Sequence, residues 1–532
     1  MKSVTILTIA AMAMAAAAGC SHDNPTPSPE PPAKGGEFNE FGFTTTVPVT
    51  LCVDYGDMAG MPANVYFEVY DTCPVEETET AYAKIAGVEP LYAGYTDGQG
   101  RFEGTIELPA YIRKAYVLTP AFYARTLLEA TRSGDMLTAS AESGAPANAA
   151  PASTRAKEYH STAVERDGWK TWLGSYDTTY GSIGYEYDGD LKVKNYGALL
   201  KAHASVFDTT KKCPKEYRSS RDLYLEKSAE VVITLLGSNT CWNSSMGYYY
   251  YKTGNKPKSL ADANVVMIFP NTQDGRWSNS PWESRLYQGV ERGTAVQLIY
   301  YPEIADGSKA GATTVFPADY RIGFVLATNA WTNRLRAGDK KYRAATSDGL
   351  SVNNNGVAYQ TPRTAVFRYT DKKSGINSVL FSFEDHTNDE NFSDVVFTMT
   401  SNPVDAVTDI PSVDVNDGKK TANVLRGIYA FEDLWPSRGD YDMNDVMVRS
   451  DYEKVFNEKG VFEESFMLKT FANFAGNANG LAVTLTGAAA DAKLEFSVRK
   501  PGAETFEAAD FERDGKVCLL YTSPSPRDRS VS

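Results

Sequence analysis

The stretch Val47-Pro-Val-Thr-Leu-Cys-Val-Asp-Tyr55 carries a large apolar side chain at every second position. Successive side chains of a β-strand point to opposite faces, so this period predicts a strand with one buried and one exposed face. Val65, Phe67 and Val69 repeat the period, and Tyr95-Thr-Asp-Gly-Gln-Gly-Arg-Phe102 places a glycine-rich turn between strand-like flanks. Residues 43–130 are therefore expected to form a small antiparallel β-sandwich.

Similar patterns extend along most of the chain. Short runs rich in β-branched and aromatic residues, such as Val231 to Leu236 and Val265 to Phe269, alternate with Asn, Gly, Ser and Asp clusters. We predict a mainly β fold with several antiparallel β-sandwich domains in series. An Ala/Ser/Pro linker is expected at 131–157, a large sandwich at 158–405 and a further domain at 420–517. The strand order and the Thr-Asp-Gly-Gln-Gly-Arg-Phe turn of the first domain resemble prealbumin-like or Ig-like accessory domains of surface proteins.

Composition narrows the class of protein. Lys and Arg number 53 against 67 Asp and Glu, a net charge of -14, which argues against a nucleic-acid partner because phosphate contacts need a basic face. Only 4 His occur, which weakens zinc chemistry and His-dependent catalysis.

The N-terminus is typical of an exported protein. Residues 1–20 form a leader, in which Lys2 precedes an apolar run and Ala17-Ala-Gly-Cys20 resembles a bacterial lipobox that would be acylated at Cys20. Leu is usual where Ala17 stands, and an ordinary signal peptide is the alternative. Residues 21–42 are rich in proline and are expected to be an extended tether. We therefore expect a lipid-anchored outer-membrane protein of a Gram-negative bacterium, on its cell-surface or periplasmic face.

The C-terminal tail and the cysteines are linked. Residues 518–528 read CLLYTSPSPRD, which resembles the translation of a common sequencing adapter, so native sequence is expected to stop near Val517 and 518–532 to be an artefact. Four cysteines then remain besides Cys20, an even number that suits disulfides in an exported chain. The closest pairings are Cys52 with Cys73 and Cys213 with Cys241.

Two acid-rich segments about 50 residues apart resemble each other. They are Phe383-Glu-Asp-His-Thr-Asn-Asp-Glu-Asn-Phe-Ser-Asp-Val-Val-Phe397 and Phe431-Glu-Asp-Leu-Trp-Pro-Ser-Arg-Gly-Asp-Tyr-Asp-Met-Asn-Asp-Val-Met-Val448. Both open with Phe-Glu-Asp, place oxygen-bearing side chains at alternate positions, and close with Asp before an apolar triplet.

This crowding of acids points to a cation. Two carboxylates ~4 Å apart repel by ~1 kcal/mol in water and by ~4 kcal/mol at an effective dielectric of 20. Calcium suits such a loop because it accepts six to eight oxygens in flexible geometry. Candidate ligands are Asp385, Asp389, Asn391 and Asp394 in the first segment, and Glu432, Asp433, Asp440, Asp442, Asn444 and Asp445 in the second.

Two alternatives bear on this cation site. An EF-hand is excluded, since counting from Asp440 the sixth position is Asp445 rather than Gly and the twelfth is Asp451 rather than Glu. The acids could instead be solvated turn residues and caps for backbone N–H groups.

The second segment resembles the opening of the LruC domain of exported Gram-negative lipoproteins. The first, preceded by Tyr320-Arg-Ile-Gly-Phe-Val-Leu326, looks like a related domain of bacterial surface proteins, and together the two resemblances cover roughly residues 290–517. They imply β-rich surface domains, with calcium as a candidate ion. Asn391 and Ser393 depart from the acidic pattern, and the expected end of native sequence near Val517 would leave the LruC-type domain of residues 420–517 truncated.

Three functions fit these features. The first is a lipid-anchored envelope protein with calcium-braced β domains, a non-enzymatic binding or adhesion module for a glycan or surface-protein ligand. The second is a carbohydrate-active enzyme that uses clustered carboxylates, and the third is a purely structural surface or pilus-like component. Rings near polar loops, among them Trp169, Trp172, Tyr176, Tyr248 and Tyr249, could stack on sugars or cover a core edge.

Overall fold

The structure is a computed structural model. It describes residues 4–11, 45–56, 64–77, 82–141, 159–160, 169–177, 180–194, 196–240, 242–273, 289–331, 342–371, 376–386, 389–412, 420–432, 443–457, 460–475, 480–485, 493–499, 503–509, 512–514 and 516–522. Strands make up 50% of the chain and are arranged in several sheets, which confirms the mainly β fold class. Within these ranges, no helix is long and apolar enough to cross a lipid bilayer.

The N-terminal segment and the first domain supply ten strands. Their bounds are β1 (Val4–Ala11), β2 (Thr46–Asp54), β3 (Tyr66–Tyr70), β4 (Val75–Glu77), β5 (Tyr82–Lys84), β6 (Tyr92–Tyr95), β7 (Arg101–Pro109), β8 (Lys114–Leu118), β9 (Leu127–Ser133) and β10 (Met136–Ser140). Seven of them form one sheet in the order β6-β3-β8-β9-β10-β2-β7, and β4 pairs with β5. Val49, Leu51 and Val53 of β2 are buried, as their two-residue period predicts.

The first domain is longer than expected from the sequence. β10 runs antiparallel to β9 and parallel to β2, so this sheet is not purely antiparallel and extends to Ser140. The linker expected from residue 131 therefore begins later. Leu137 and Ala139 of β10 are buried between exposed neighbours, a strand period that the small residues around it disguise.

The expected Cys52–Cys73 bridge is not formed. Cys52 and Cys73 are both free thiols. Cys52 lies in β2, whereas Cys73 follows β3, and three strands lie between β2 and β3 in the sheet. Bridged cysteines need Cα atoms about 4.4–6.8 Å apart, and neighbouring strands alone are ~4.8 Å apart. Cys213 is a buried free thiol as well, so the Cys213–Cys241 bridge is also absent, and Cys241 lies outside the described residues.

In its described residues, the middle domain contains two facing sheets, a separate two-stranded sheet and one α-helix. Its elements are β11 (Tyr159–His160), β12 (Trp169–Trp172), β13 (Tyr176–Asp177), α1 (Gly197–Val206), β14 (Leu223–Leu225), β15 (Ala229–Ser238), β16 (Ser245–Lys252), β17 (Val265–Phe269), β18 (Ala295–Gln297), β19 (Val315–Phe316), β20 (Tyr320–Ala327), β21 (Arg343–Ala345), β22 (Thr364–Asp371), β23 (Ile376–Phe383), β24 (Val395–Asn402) and β25 (Val407–Thr408). Short 3-10 turns lie at Lys215–Tyr217, Ala261–Ala263 and Ile304–Asp306. The sheet orders are β12-β17-β16-β20-β14-β25 and β18-β15-β24-β23-β22.

Aromatic side chains join these two sheets. Phe324 of β20 contacts Phe381 of β23 and Phe397 of β24, with ring centroids 5.1 and 5.0 Å apart. Phe381 and Phe397 stack at 4.6 Å because they are directly paired across the β23–β24 ladder. Such ring pairs contribute about 0.5–1.5 kcal/mol beyond the area they bury. The first acid-rich segment therefore begins and ends in strands that are fixed in this core.

The second sheet of the middle domain is also covered on its outer face. Leu199 and Leu200 of α1 belong to the same buried cluster as Leu380 of β23 and Val396 of β24, and side chains of the first domain complete it. The sequence did not predict α1, because its ten residues show only a short apolar face. Phe392 of the first acid-rich loop belongs to the same cluster, so this layer helps to bury the loop.

The C-terminal domain completes the fold. Its strands are β26 (Lys420–Phe431), β27 (Val446–Asn457), β28 (Gly460–Asn473), β29 (Gly480–Leu485), β30 (Lys493–Arg499), β31 (Glu507–Ala508), β32 (Glu512–Asp514) and β33 (Lys516–Thr522). The main sheet has the order β26-β27-β28-β1-β30-β31, so the leader segment β1 lies inside it, and β29, β33 and β32 form a second small sheet. Val448, Leu468, Phe496 and Val498 form its core.

Candidate functional site

The candidate site is the loop of residues 384–394, which joins β23 to β24. The ladder between these strands ends at the pair Phe383 and Val395. Phe392, inside the loop, is fully buried in the cluster that also contains Phe207 beside α1. The loop is thus folded against the middle domain instead of projecting into solvent.

The acids of this loop are buried. Glu384 is 1% exposed, Asp385 4% and Asp394 3%, while Asn391 is 1% exposed and Asp389 is partly exposed. The structure therefore brings together the four candidate ligands of the first segment and adds Glu384. These acids are therefore not solvated turn residues, which was the alternative for this segment.

Most of these side chains also cap backbone N–H groups. The N–H of Asp385 donates to Asp394 Oδ2 at 2.6 Å, that of Phe392 to Glu384 Oε2 at 3.1 Å, and that of Ser393 to Asn391 Oδ1 at 2.7 Å. Capping is therefore one real role of the segment. It leaves the charge of the carboxylates without a full counter-ion, because an N–H dipole carries no net charge.

A buried guanidinium supplies part of that counter-charge. Arg363 Nη2 lies 3.2 Å from Glu384 Oε1, and both side chains are at most 2% exposed. The two groups are close, but neither atom makes a well-aligned hydrogen bond, so the contact is mainly ionic. Arg363 also lies 3.7 Å from Glu390, which pairs with Arg218 and Lys212 at the edge of the site. This buried guanidinium thus pairs with Glu384 and also acts electrostatically on Asp385 and Asp389.

The electrostatic consequence is an elevated pKa across the cluster. Burial raises the pKa of Glu384 and Asp394 well above the ordinary value, and repulsion from Asp389 at Glu384 and from Asp385 at Asp394 adds to it. Burial likewise raises the pKa of Asp385 to about 7, although the hydroxyl of Thr240 donates to it at 2.6 Å. Burial also raises the pKa of Asp389. At neutral pH such a cluster favours a bound proton or a bound cation.

The donor chemistry suits a hard cation. Glu384 Oε1 and Ser393 Oγ are buried without a hydrogen-bond partner, and the other donors are carboxylate and amide oxygens. Calcium prefers such ligands. In the part of the chain that the structure describes, however, no group of three or more His, Cys, Asp or Glu side chains is arranged to hold a metal ion.

The second segment closes its turn in the same way as the first. The N–H of Met443 donates to Glu432 Oε2 at 3.4 Å, as that of Phe392 does to Glu384. Met443 and Phe392 both have positive φ, 55° and 59°. Glu432, Asn444 and Asp445 thus lie at one turn. Asp433, Asp440 and Asp442 lie outside the described residues, as does Cys20.

Sequence reasoning missed Arg363 and Thr240 at this site. Arg363 reaches Glu384 because Thr364, its neighbour, pairs with Phe383 across the β22–β23 ladder. Thr240 follows β15, which pairs with β24. No local motif marks either residue, so only strand register could have found them.

Five of the aromatic residues that could stack on sugars lie in the core. Trp169, Trp172, Tyr176, Tyr248 and Tyr249 are all less than 5% exposed and belong to the main core. They cover the core and are not available to stack on a sugar. Trp277 and Trp282, also in polar loops of the sequence, lie outside the described residues.

Comparisons with known proteins match two parts of the chain. Residues 47–141 match a domain of unknown function, DUF8469, and residues 316–402 match another, DUF4114. The first match coincides with the seven-stranded sheet, and the second contains the acid-rich loop and both strands that hold it. No curated protein and no solved structure matches the chain. The chain thus contains segments similar to these two domains, neither of which has an assigned function.

Proposed function

We propose that this is a lipid-anchored protein of the outer membrane, with β domains braced by calcium, and that it works as a non-enzymatic binding or adhesion module. The observation that carries the calcium brace is the burial of Glu384, Asp385 and Asp394, beside the partly exposed Asp389, with the guanidinium of Arg363 paired to Glu384. The proposed location at the outer membrane is supported by the leader, the lipobox-like Cys20 and the proline-rich tether.

Calcium supports the loop through charge. Ionised carboxylates in a low-dielectric site repel each other by several kcal/mol, and Arg363 offsets one of them. A divalent ion would neutralise two more while using oxygens such as Ser393 Oγ, which has no hydrogen-bond partner. The proposal requires the loop oxygens to move closer together than they lie in this structure. Asp389 is the one of these four acids that is partly exposed, and it follows residues 387–388, which lie outside the described residues.

The same burial argues against the carbohydrate-active enzyme. A general acid or a nucleophile must reach its substrate within hydrogen-bond distance. Glu384, Asp385 and Asp394 are at most 4% exposed beneath the helical layer, so a polysaccharide cannot approach them. We therefore favour a glycan or surface-protein ligand bound elsewhere on the β domains. Residues 420–517 would act as a surface domain of the LruC type.

Thermal unfolding of the whole chain in calcium and in EGTA tests the brace. With free calcium about tenfold above Kd the ion would add ~1.4 kcal/mol, equivalent to a melting temperature about 3–6 °C higher for a domain of this size. Magnesium should give a smaller rise because it demands a stricter octahedron. Identical melting curves in calcium and EGTA would refute the calcium brace.

The binding role needs a separate test. A glycan array probed with the soluble chain, with and without calcium, measures retention, and a polysaccharide release assay measures turnover. Retention without turnover is expected. Turnover would instead support the enzyme.

A further inference from the structure

A cleft lies where the three domains meet. Its volume is about 590 Å³, and its walls are residues 84–90 of the first domain, 210–212 of the middle domain, and Thr421, Ala422 and Glu453 of the C-terminal domain. Sites for small ligands typically have volumes of ~300–1,000 Å³ and occur preferentially at domain interfaces. The cleft therefore has the size and the position of a ligand site.

Direct contacts between the domains hold these walls in place. The backbone N–H of Lys84 donates to the carbonyl oxygen of Thr210 at 3.3 Å, which joins the first domain to the middle domain. Phe456 of the C-terminal domain packs against Tyr66 and Tyr95 of the first domain, with ring centroids 6.0 and 5.7 Å away. A site whose walls are already in place loses less entropy when a ligand binds.

The first acid-rich loop positions the wall from the middle domain. The backbone N–H of Cys213 donates to the carbonyl oxygen of Glu390 at 2.7 Å, and Asn391 Nδ2 donates to the carbonyl oxygen of Thr209 at 3.1 Å. Lys212 Nζ lies 3.3 Å from Glu390 Oε2. These contacts lie on both sides of the wall segment, so the buried loop supports the cleft from beneath.

The charges that line the cleft are balanced. Three lysines and three glutamates contribute to it: Lys84, Lys211 and Lys212, and Glu68, Glu89 and Glu453. A polyanion would meet the carboxylates and a polycation would meet the ammonium groups, so a highly charged ligand of either sign gains no net attraction. The lining indicates an uncharged ligand.

The same lining suits the hydroxyl groups of a sugar. A hydroxyl both donates and accepts hydrogen bonds, whereas an ammonium group only donates and a carboxylate only accepts. The side chains of Lys211, Lys212 and Glu89 are 60%, 67% and 53% exposed, so they can reach a ligand in the cleft. Ala86 and Val88 add apolar surface, which can cover the C–H face of a sugar ring.

We propose that the cleft between the three domains binds an uncharged oligosaccharide. The lysines donate hydrogen bonds to the oxygens of the sugar hydroxyls, and the glutamates accept hydrogen bonds from these hydroxyls. This inference rests on the proposed binding role, for which it supplies a site and a class of ligand, and it does not depend on calcium.

Thr421→Trp in the whole chain tests the site. Thr421 is exposed, lies in β26 and lines the cleft, so an indole at this position would fill space that the ligand needs. Thr105→Trp is the matched control, because Thr105 is also exposed and lies in β7, which like β26 is the edge strand of its sheet. Tryptophan is well accommodated in strands, and melting curves verify that both variants fold. Ala86→Trp blocks the cleft from the first domain and repeats the test if Thr421→Trp does not fold.

An array that carries neutral, acidic and amino-sugar oligosaccharides is probed with the parent and with each variant. The neutral oligosaccharide that the parent retains best is then titrated by isothermal calorimetry. The parent and Thr105→Trp should bind it equally, and Thr421→Trp should bind it at least about tenfold more weakly.

Three results would overturn the inference, and they separate it from the binding role. Equal affinity of Thr421→Trp and the parent would place the ligand elsewhere and leave the binding role intact. Retention of acidic or amino-sugar oligosaccharides alone would contradict the uncharged class of ligand. Retention of no oligosaccharide by the parent would refute both this inference and the glycan ligand of the proposed function.

Discussion

Glu384 and Phe392 close the first acid-rich loop together: the carboxylate accepts the N–H of Phe392 at 3.1 Å, while Phe392 holds a left-handed φ of 59° and is fully buried. A left-handed conformation at a bulky residue persists only where its surroundings fix it. Glu432 and Met443 repeat this relationship at 3.4 Å and 55°. The two turns therefore share one backbone conformation, and in each of them the glutamate carboxylate helps to hold it.

Asp394→Asn tests whether buried charge drives cation binding. The amide keeps an oxygen for the N–H of Asp385 but removes one negative charge from the cluster. In EGTA the variant should melt at a higher temperature than the parent, because repulsion is reduced, and it should lose most of the gain from calcium. Differential scanning fluorimetry measures both effects.

Asp405→Asn is the control for that experiment. Asp405 is exposed and pairs with Lys227 at 2.6 Å. Its substitution should leave the calcium response intact. If Asp394→Asn and Asp405→Asn respond alike to calcium, the ion does not bind at the loop.

The stability of the ion-free protein should fall as pH rises from about 4 to about 7. The folded pKa of Asp385 is raised to about 7, so the folded state keeps a proton that the unfolded chain has already released. Each such proton gives a slope of about 1.4 kcal/mol per pH unit across this window. Urea unfolding at several pH values in EGTA measures it, and calcium should flatten the slope. A calcium gain that shrinks towards pH 7 would contradict the coupling.

His203 should produce the opposite slope. It lies between Phe122 and Phe207, with ring centroids 4.6 and 4.5 Å away, and burial lowers its pKa to about 3. It is neutral in the folded chain, so its contribution is present above pH 6.5 and is lost as pH falls towards 3. The loss should reach about 2 kcal/mol at pH 5.

A His203→Gln variant isolates this contribution. Glutamine can still hydrogen-bond to Ser382, which lies 3.0 Å from the imidazole, but it does not titrate. The difference in unfolding free energy between parent and variant should therefore shrink or reverse on acidification from pH 7 to pH 5. A difference that does not depend on pH would show that His203 is already charged or accessible.

Arg363→Met should destabilise the protein by about 3–5 kcal/mol. It removes the guanidinium and leaves Glu384 buried without it. Adding Glu384→Gln should recover part of the loss, because the buried charge is then gone and the amide oxygen still accepts from Phe392. Chemical denaturation of the two variants measures this coupling. Lys227→Met, at an exposed pair, should leave the denaturation midpoint unchanged, and a double variant less stable than Arg363→Met would contradict the ionic account.

Cys52 and Cys73 should both react as free thiols. Neither forms a disulfide: Cys52 lies in β2, whereas Cys73 follows β3, and three strands separate β2 from β3 in the sheet. Alkylation with iodoacetamide in denaturant, without reductant, should label both, and peptide mass spectrometry should detect the two adducts. If labelling appears only after reduction, Cys52 and Cys73 form the disulfide expected from the sequence and are not free thiols.

The sequence by itself determined the mainly β fold and the two acid-rich turns. Both are local signals: a strand at Val47 to Tyr55 follows from a period of two, and each turn follows from Phe-Glu-Asp and the acids after it. The end of the first domain at Ser140, the helix α1 and the absent Cys52–Cys73 bridge escaped prediction. Each depends on which strands become neighbours, and that ordering is not written in any short stretch of chain.

Only the tertiary structure decided that the acids of 384–394 are buried and that Arg363 faces them. Burial requires the layer that includes Leu199 and Leu200 of α1, and the ion pair requires Thr364 to align with Phe383. The same pattern of acids occurs in sequences whether the folded loop is exposed to water or buried under a protein layer. The cost of an unpaired charge, however, depends on that cover, because the local dielectric sets the strength of every charge interaction.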